Sequence, residues 1–355
     1  MEDTVFIKGC EAIGEAAVRA GCKFFAGYPI TPQNELPEYM SWRLLEVGGC
    51  YVQGESEIAS INMVFGAAST GTRCMTSSAS PGLALKSEGI SDALGSRLPF
   101  VLSIIQRGGP GHGIIFPAQQ DYTMAVHAPG HGGIKFFVLA PSTVQEAVDL
   151  TYKAFDIADK YRTGVLILGD GLMATIMENA TFPPMKTPEE LPKHEDWKVT
   201  VRDNGKARVI TSYFPPEQME KTNIAMGEMF EKWAREEVLS EEYLCDDAEY
   251  VICAYGSSGR ICEEVVNELR AEGVRIGLFR PITLHPFPAQ FFEKLDYNQV
   301  KKIFSIEMAI PGQLVEDVKA YVARRCPVEH FGRSGGIVIT PAEVIAAIKG
   351  MIKED

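Results

Sequence analysis

No two of the eight cysteines in this 355-residue chain stand at the two-residue gap of iron–sulfur or zinc motifs. That spacing disfavours a cluster held by this chain and leaves the thiols as small buried hydrophobes of a reducing compartment. No apolar run approaches the ~18–20 residues of a membrane span, and the N-terminus lacks the basic-then-apolar order of a signal peptide. The expected location is therefore the cytoplasm, away from any membrane. Positive charge is scarce. With 34 Lys and Arg against 47 Asp and Glu, the net charge of −13 disfavours nucleic acid and anionic lipid, whose phosphates would be repelled. Histidines number six; His127 and His131 are four apart, but Pro129-Gly130 breaks the helix that would put both on one face, which argues against a metal site. There is no internal repeat and no low-complexity tract.

What is present is an alternation. The hydrophobic content of 46% is enough for two buried cores at this length. Through residue 178, short apolar runs bounded by Gly or Pro (23–26, 51–53, 74–77, 100–105, 134–139 and 165–168) alternate with amphipathic stretches such as 11–20, 57–68 and 143–160. Runs of this kind are strands buried on both faces, so the pattern predicts an α/β fold with a doubly wound parallel sheet. A second, smaller α/β unit is expected over 248–355, with strands at 250–254, 275–279 and 302–306 and helices at 261–271, 314–325 and 342–352. Between them, residues 179–247 open with proline-rich sequence and then carry Trp197, Trp233 and a helical segment at 217–237. A freely solvated tether would not carry two tryptophans, so this stretch reads as a linker wrapped onto both units.

Several segments could carry chemistry. Tyr28-Pro29-Ile30-Thr31-Pro32 holds a hydroxyl between two prolines at the carboxyl end of a strand, the edge where open α/β sheets bind ligands. A strand-to-helix stop with Thr31 as N-cap, before a helix starting near Gln33, is equally open from these residues alone. Glu57 and Glu55 stand at the start of a helix, where acids are favoured by the dipole whether or not they are functional. Arg107 ends a strand and opens a glycine-rich turn; its forked donors suit a carboxylate, but a surface ion pair is the commoner use. Ser78-Ala79-Ser80-Pro81-Gly82 could offer N–H donors to an anion or be a plain turn. Gly169-Asp170-Gly171 is followed by proline-rich sequence with no asparagine at 194–199, and reads as a turn at a strand end.

The pentapeptide 28–32 resembles the signature of the alpha subunit of 2-oxoacid:ferredoxin oxidoreductases, thiamine-diphosphate enzymes that oxidatively decarboxylate 2-oxoacids to acyl-CoA. Glu55-Ser56-Glu57-Ile58-Ala59, Gln106-Arg107-Gly108-Gly109-Pro110-Gly111, and Phe279-Arg280-Pro281 with Pro286-Phe287-Pro288 match in the same order. The longer stretch from Tyr28 to Tyr39 is most similar to the branched-chain, 2-oxoisovalerate members. The resemblance implies a pyrimidine-side cofactor domain joined to a transketolase C-terminal-like domain. It implies that Glu57 activates thiamine diphosphate by stabilising the protonated aminopyrimidine ring, with Glu55 as the alternative, and that Pro29 and Ile30 line the cofactor. It further implies that Thr31 and Arg107 hold the substrate. The diphosphate and Mg2+ half of the site then belongs to a beta subunit. Iron–sulfur clusters belong to partners, among them gamma and ferredoxin-like delta subunits, with CoA and ferredoxin as co-substrates of the complex. A basic patch for an acidic ferredoxin is not evident in this chain. Other readings stand beside this one: 2-oxoglutarate or pyruvate as substrate, a lipoamide-directed dehydrogenase E1 beta subunit, or a non-catalytic scaffold subunit.

Overall fold

A computed structural model of the chain describes residues 4–199 and 210–353. The first half runs β1 (Thr4–Lys8), α1 (Gly9–Arg19), β2 (Phe24–Gly27), α2 (Glu35–Glu46), β3 (Cys50–Gln53), α3 (Glu57–Ser69), β4 (Cys74–Ala79) and α4 (Ser80–Gly95). It continues with β5 (Phe100–Gly108), β6 (Ile114–Pro117), α5 (Tyr122–Val126), β7 (Phe137–Leu139), α6 (Val144–Tyr161), β8 (Gly164–Asp170), α7 (Gly171–Thr175) and β9 (Met177–Thr181). The second half contains α8 (Pro216–Glu236), β10 (Ser240–Tyr243), β11 (Tyr250–Cys253), α9 (Gly256–Ala271), β12 (Ile276–Pro281) and β13 (Thr283–His285). It closes with α10 (Gln290–Lys294), β14 (Lys302–Glu307), α11 (Leu314–Val322), β15 (Val328–Gly332) and α12 (Pro341–Lys353).

The main sheet has the order β13-β7-β8-β5-β4-β2-β3, with β6 hydrogen-bonded to β5 beyond it. Strands β7, β8, β5, β4, β2 and β3 are mutually parallel. Because β3 lies outside β2 while β4 lies on its other flank, the order reverses between β2 and β4, and a crevice opens at their carboxyl ends. The second sheet runs β10-β12-β11-β14-β15, parallel except for β10. Strands β1 and β9 form a separate antiparallel ribbon.

Alternation along the strands sets the layers. Leu102 and Ile104 of β5 face one core with Leu166 and Leu168 of β8, whereas Val101, Ile105, Val165 and Ile167 face another. The first of these cores does not stop at the end of the main sheet. It continues through Tyr122 and Tyr255 to Val251, Cys253 and Phe279, so one apolar layer joins both sheets. A third cluster, with Ile252, Val265 and Ile306, covers the far face of the second sheet.

Several local expectations shift. Helix α2 starts at Glu35, two residues after Gln33, and Asn34 rather than Thr31 stands at its N-cap position. Helix α11 stops at Val322, because Ala323 and Arg324 turn to φ values of 52° and 63°. Strands β10 and β13 leave no apolar run in the sequence because they are short and mostly polar, and each is added antiparallel to a sheet edge formed elsewhere in the sequence. The 179–247 stretch touches both sheets: Trp233 is fully buried against Phe137 and Tyr161, while β10 pairs with β12.

Polar contacts lock the two sheets in register. Asp170, buried at the end of β8, caps α7 by accepting from Leu172 N and Met173 N at 3.1 Å, and also accepts from Ser257 Oγ at 2.6 Å and Ser257 N at 3.1 Å. The Gly-Asp-Gly turn is therefore a strand end with a structural duty. Gln119 donates to Tyr255 O at 2.9 Å and accepts from Ser258 Oγ at 2.6 Å. Arg280 forks onto Glu146 at 2.6 and 3.0 Å and also pairs with Glu241. Asp170→Ala would take the acceptor from four donors at once, three of them buried, whereas Ser257→Ala removes one. Urea unfolding is expected to show a loss of roughly 3–5 kcal/mol for Asp170→Ala and about 1–2 kcal/mol for Ser257→Ala. Equal midpoints for the two variants would show that Asp170 is not the clamp.

Candidate active site

Parallel strands place their carboxyl ends at one edge, so the turn after β2, the start of α3, the β4–α4 junction and the end of β5 converge on the crevice. Thr31, Glu57, Ser78–Gly82 and Arg107 thus meet although they lie far apart in sequence.

Glu57 is the first residue of α3. Ser56 caps that helix, its Oγ accepting from Ala59 N at 3.1 Å. The two candidate carboxylates differ in surroundings: Glu55 is exposed, whereas Glu57 is 6% exposed. Across from Glu57 stands Gly82, on which a Cβ would overlap Ser78 Oγ and lie only 3.0 Å from Glu57 Oε1. Glycine is thereby required for the carboxylate to occupy this place. Ser78 Oγ is buried with no hydrogen-bond partner.

Around Arg107 the geometry is less simple than expected. Its guanidinium donates from Nη1 to the main-chain carbonyl of Thr31 at 2.9 Å and from Nη2 to that of His112 at 2.9 Å, while buried Nε has no partner. Arg107 therefore ties the turn after β2 to the β5–β6 hairpin, with part of its fork left for an anion. Among the described residues it forms no ion pair of the kind expected of a surface arginine, being 8% exposed. Asp121 sits close by, hydrogen-bonded to Ser80 Oγ. Burial pushes its carboxyl up to about 6, against the pull of Ser80 and the Arg107 charge. Thr31 is half-buried, and its Oγ1 accepts from Asn34 Nδ2 at 3.3 Å. Pro29 is exposed and Ile30 half-buried on the same turn.

Two residues escaped the sequence reading. Gln33, fully buried, accepts from Ser77 Oγ at 2.5 Å and donates to Tyr28 O at 3.3 Å, pinning the proline turn to β4 across the point where the strand order reverses. Nothing in a lone glutamine signals this. Lys86, also fully buried, donates to Glu57 O at 3.1 Å and Thr76 Oγ1 at 3.2 Å. Here a signal exists, because Lys86 interrupts the apolar face Leu83, Ile90, Ala93 of its own helix.

A buried carboxylate seated by close approach to Gly82, with the orphaned Ser78 hydroxyl beside it, suits a planar nitrogen ring donating to Glu57, so these residues fit the pyrimidine end of thiamine diphosphate. Among the described residues, no group of three or more His, Cys, Asp or Glu side chains could hold a metal ion. No described helix is long and apolar enough to cross a membrane.

Comparison with known proteins bears on the whole chain. Residues 15–238 match the family described as pyruvate flavodoxin/ferredoxin oxidoreductase, thiamine diphosphate-binding, and residues 248–344 match pyruvate:ferredoxin oxidoreductase core domain II. Ketoisovalerate oxidoreductase subunit VorB of Methanothermobacter thermautotrophicus is 42% identical over 98% of this chain and 97% of its own length. The 2-oxoglutarate synthase subunit KorA of Methanocaldococcus jannaschii is 34% identical over 97% of this chain and 99% of its own. Among solved structures, 2-oxoglutarate:ferredoxin oxidoreductase from Magnetococcus marinus superposes with a TM-score of 0.85 at 26% identity, covering 99% of this chain and 66% of that one. A split-gene transketolase, at 15% identity and a TM-score of 0.61, shares the fold.

Proposed function

The chain belongs to the 2-oxoacid:ferredoxin oxidoreductase family as a subunit with a thiamine-diphosphate-binding domain, and from that premise we propose that it supplies the pyrimidine side of an active site completed by a partner subunit. The observation that carries the reading is the buried Glu57 carboxylate packed against Gly82 beside the unpartnered Ser78 hydroxyl. When bound, thiamine diphosphate supplies a carbon that adds to the 2-oxo group and stores the electrons left behind by CO2. Glu57 would hold a proton at the far pyrimidine nitrogen, which favours the imino form of the ring whose nitrogen can act as base. Arg107 offers its remaining N–H groups to the substrate carboxylate, and the Thr31 hydroxyl stands beside them. The diphosphate with Mg2+ and the iron–sulfur clusters are assigned to partner subunits, with CoA and ferredoxin as co-substrates of the complex.

The proposed substrate is a branched-chain 2-oxoacid, 2-oxoisovalerate first. Greater identity to the ketoisovalerate subunit than to the 2-oxoglutarate one supports this. So does the charge at the crevice: Arg107 is the one lysine or arginine within 27–34, 53–57, 79–82 and 106–117, and the hairpin it opens carries Ile114, Ile115 and Phe116. One arginine suits a single carboxylate, and apolar neighbours suit an alkyl side chain.

Glu57→Gln in the assembled complex is expected to keep cofactor binding but slow hydrogen–deuterium exchange at the thiazolium C2 by about 10²–10⁴-fold. Normal exchange in Glu57→Gln with slow exchange in Glu55→Gln would move the role to Glu55. In steady-state kinetics over a panel of 2-oxoacids, kcat/KM is expected to be highest for 2-oxoisovalerate. Arg107→Lys and Thr31→Val should each raise the half-saturating concentration, Arg107→Lys by roughly ten- to a hundred-fold. Preference for 2-oxoglutarate would overturn the substrate assignment; unchanged substrate dependence in both variants would return Arg107 to its tie with the Thr31 carbonyl and leave Thr31 a turn residue.

A further inference from the structure

Gly82, Lys86 and Gly89 are spaced four and three apart on α4 and so share one face, turned toward α3. Both glycines mark close approach: a Cβ on Gly82 would meet Glu57, and one on Gly89 would lie 2.5 Å from Ile61 Cγ2. Between them the Lys86 stem carries an ammonium to the floor of the Glu57 site. That ammonium has two hydrogen bonds, to Glu57 O and Thr76 Oγ1, and neither is an ion pair.

A lysine with no exposure and no ion pair is costly to the fold. A methionine would fill a similar slot without that cost, so packing alone does not call for the cation. Of the elements packed on it, β4 offers neutral Thr76, α4 its own exposed Glu88, and α3 offers Glu57, the charged group that acts on the ammonium among the described residues. Burial pushes Lys86 down to about 7, and the Glu57 carboxylate pulls it back up.

We propose that Lys86 is a positioning residue for Glu57, a buried cation that fixes the first turn of α3 and holds Glu57 as the carboxylate. The inference rests on reading Glu57 as the group that activates the cofactor. A proton shared between Glu57 and a ring nitrogen lies further toward the ring when a cation stabilises the carboxylate. Without that cation the proton stays on Glu57, and the ring is activated less.

The test uses the assembled complex with Lys86→Met and with Lys86→Gln, whose amide keeps a hydrogen-bond donor without the charge. Both variants should bind thiamine diphosphate with Mg2+ within about threefold of the wild type, yet slow exchange at C2 by roughly ten- to a hundred-fold. In infrared spectra of the complex without cofactor, the protonated carboxyl band of Glu57, assigned by its loss in Glu57→Gln, should persist to a pH higher by about one unit or more. Should Lys86→Met fail to assemble, Lys86→Gln carries the same comparison. Wild-type exchange and an unmoved band in the Lys86 variants, with exchange slow in Glu57→Gln, would overturn the role of Lys86 alone. Normal exchange in Glu57→Gln would instead overturn the reading of Glu57 on which it rests.

Discussion

A buried carboxylate whose oxygens have no hydrogen-bond partner among the described residues is the constraint around which this site is built. Burial of an unpaired charge costs several kcal/mol unless the surroundings favour the ionised form. Here Glu57 lies in the first turn of α3, where the helix dipole favours negative charge, and the cation of Lys86 lies beneath it. Gly82 leaves the space that its carboxyl group fills. Among the described residues none of these contacts donates a hydrogen bond to the Glu57 carboxyl oxygens, which leaves them open to a ligand.

The sheet makes this arrangement possible. Reversal of strand order between β2 and β4 opens the crevice, and Gln33 spans it to fix the Tyr28–Pro32 turn. The main sheet is held against the second by Asp170, Gln119 and Arg280 rather than by a loose linker contact. Strand β13, contributed from the second half of the chain, completes the far edge of the main sheet. The two halves thus position the crevice together.

How much of this was legible in the sequence depends on range. Strands with continuous apolar runs, such as 100–105 and 165–168, announced themselves because both faces are buried. Strands β10 and β13 did not, because Ser240–Tyr243 and Thr283–His285 owe their conformation to sheet edges built by distant residues. Glu57 and Arg107 stood out by family resemblance. That Glu57 is buried while Glu55 is exposed could not be read from spacing, since both precede or open the same helix. Arg107's hold on the Thr31 carbonyl depends on tertiary packing alone. Lys86 is legible as a charge on an apolar helix face, but that pattern alone does not say which site the charge serves.

On this account the chain holds the pyrimidine side of a site and lacks the diphosphate side, so neither half should bind the cofactor well by itself. Isothermal titration of thiamine diphosphate with Mg2+ into the purified chain, and then into the chain with its partner subunit, measures this directly. The account predicts weak or undetectable binding to the chain alone and recovery with the partner. Tight, magnesium-dependent binding to the single chain would contradict it.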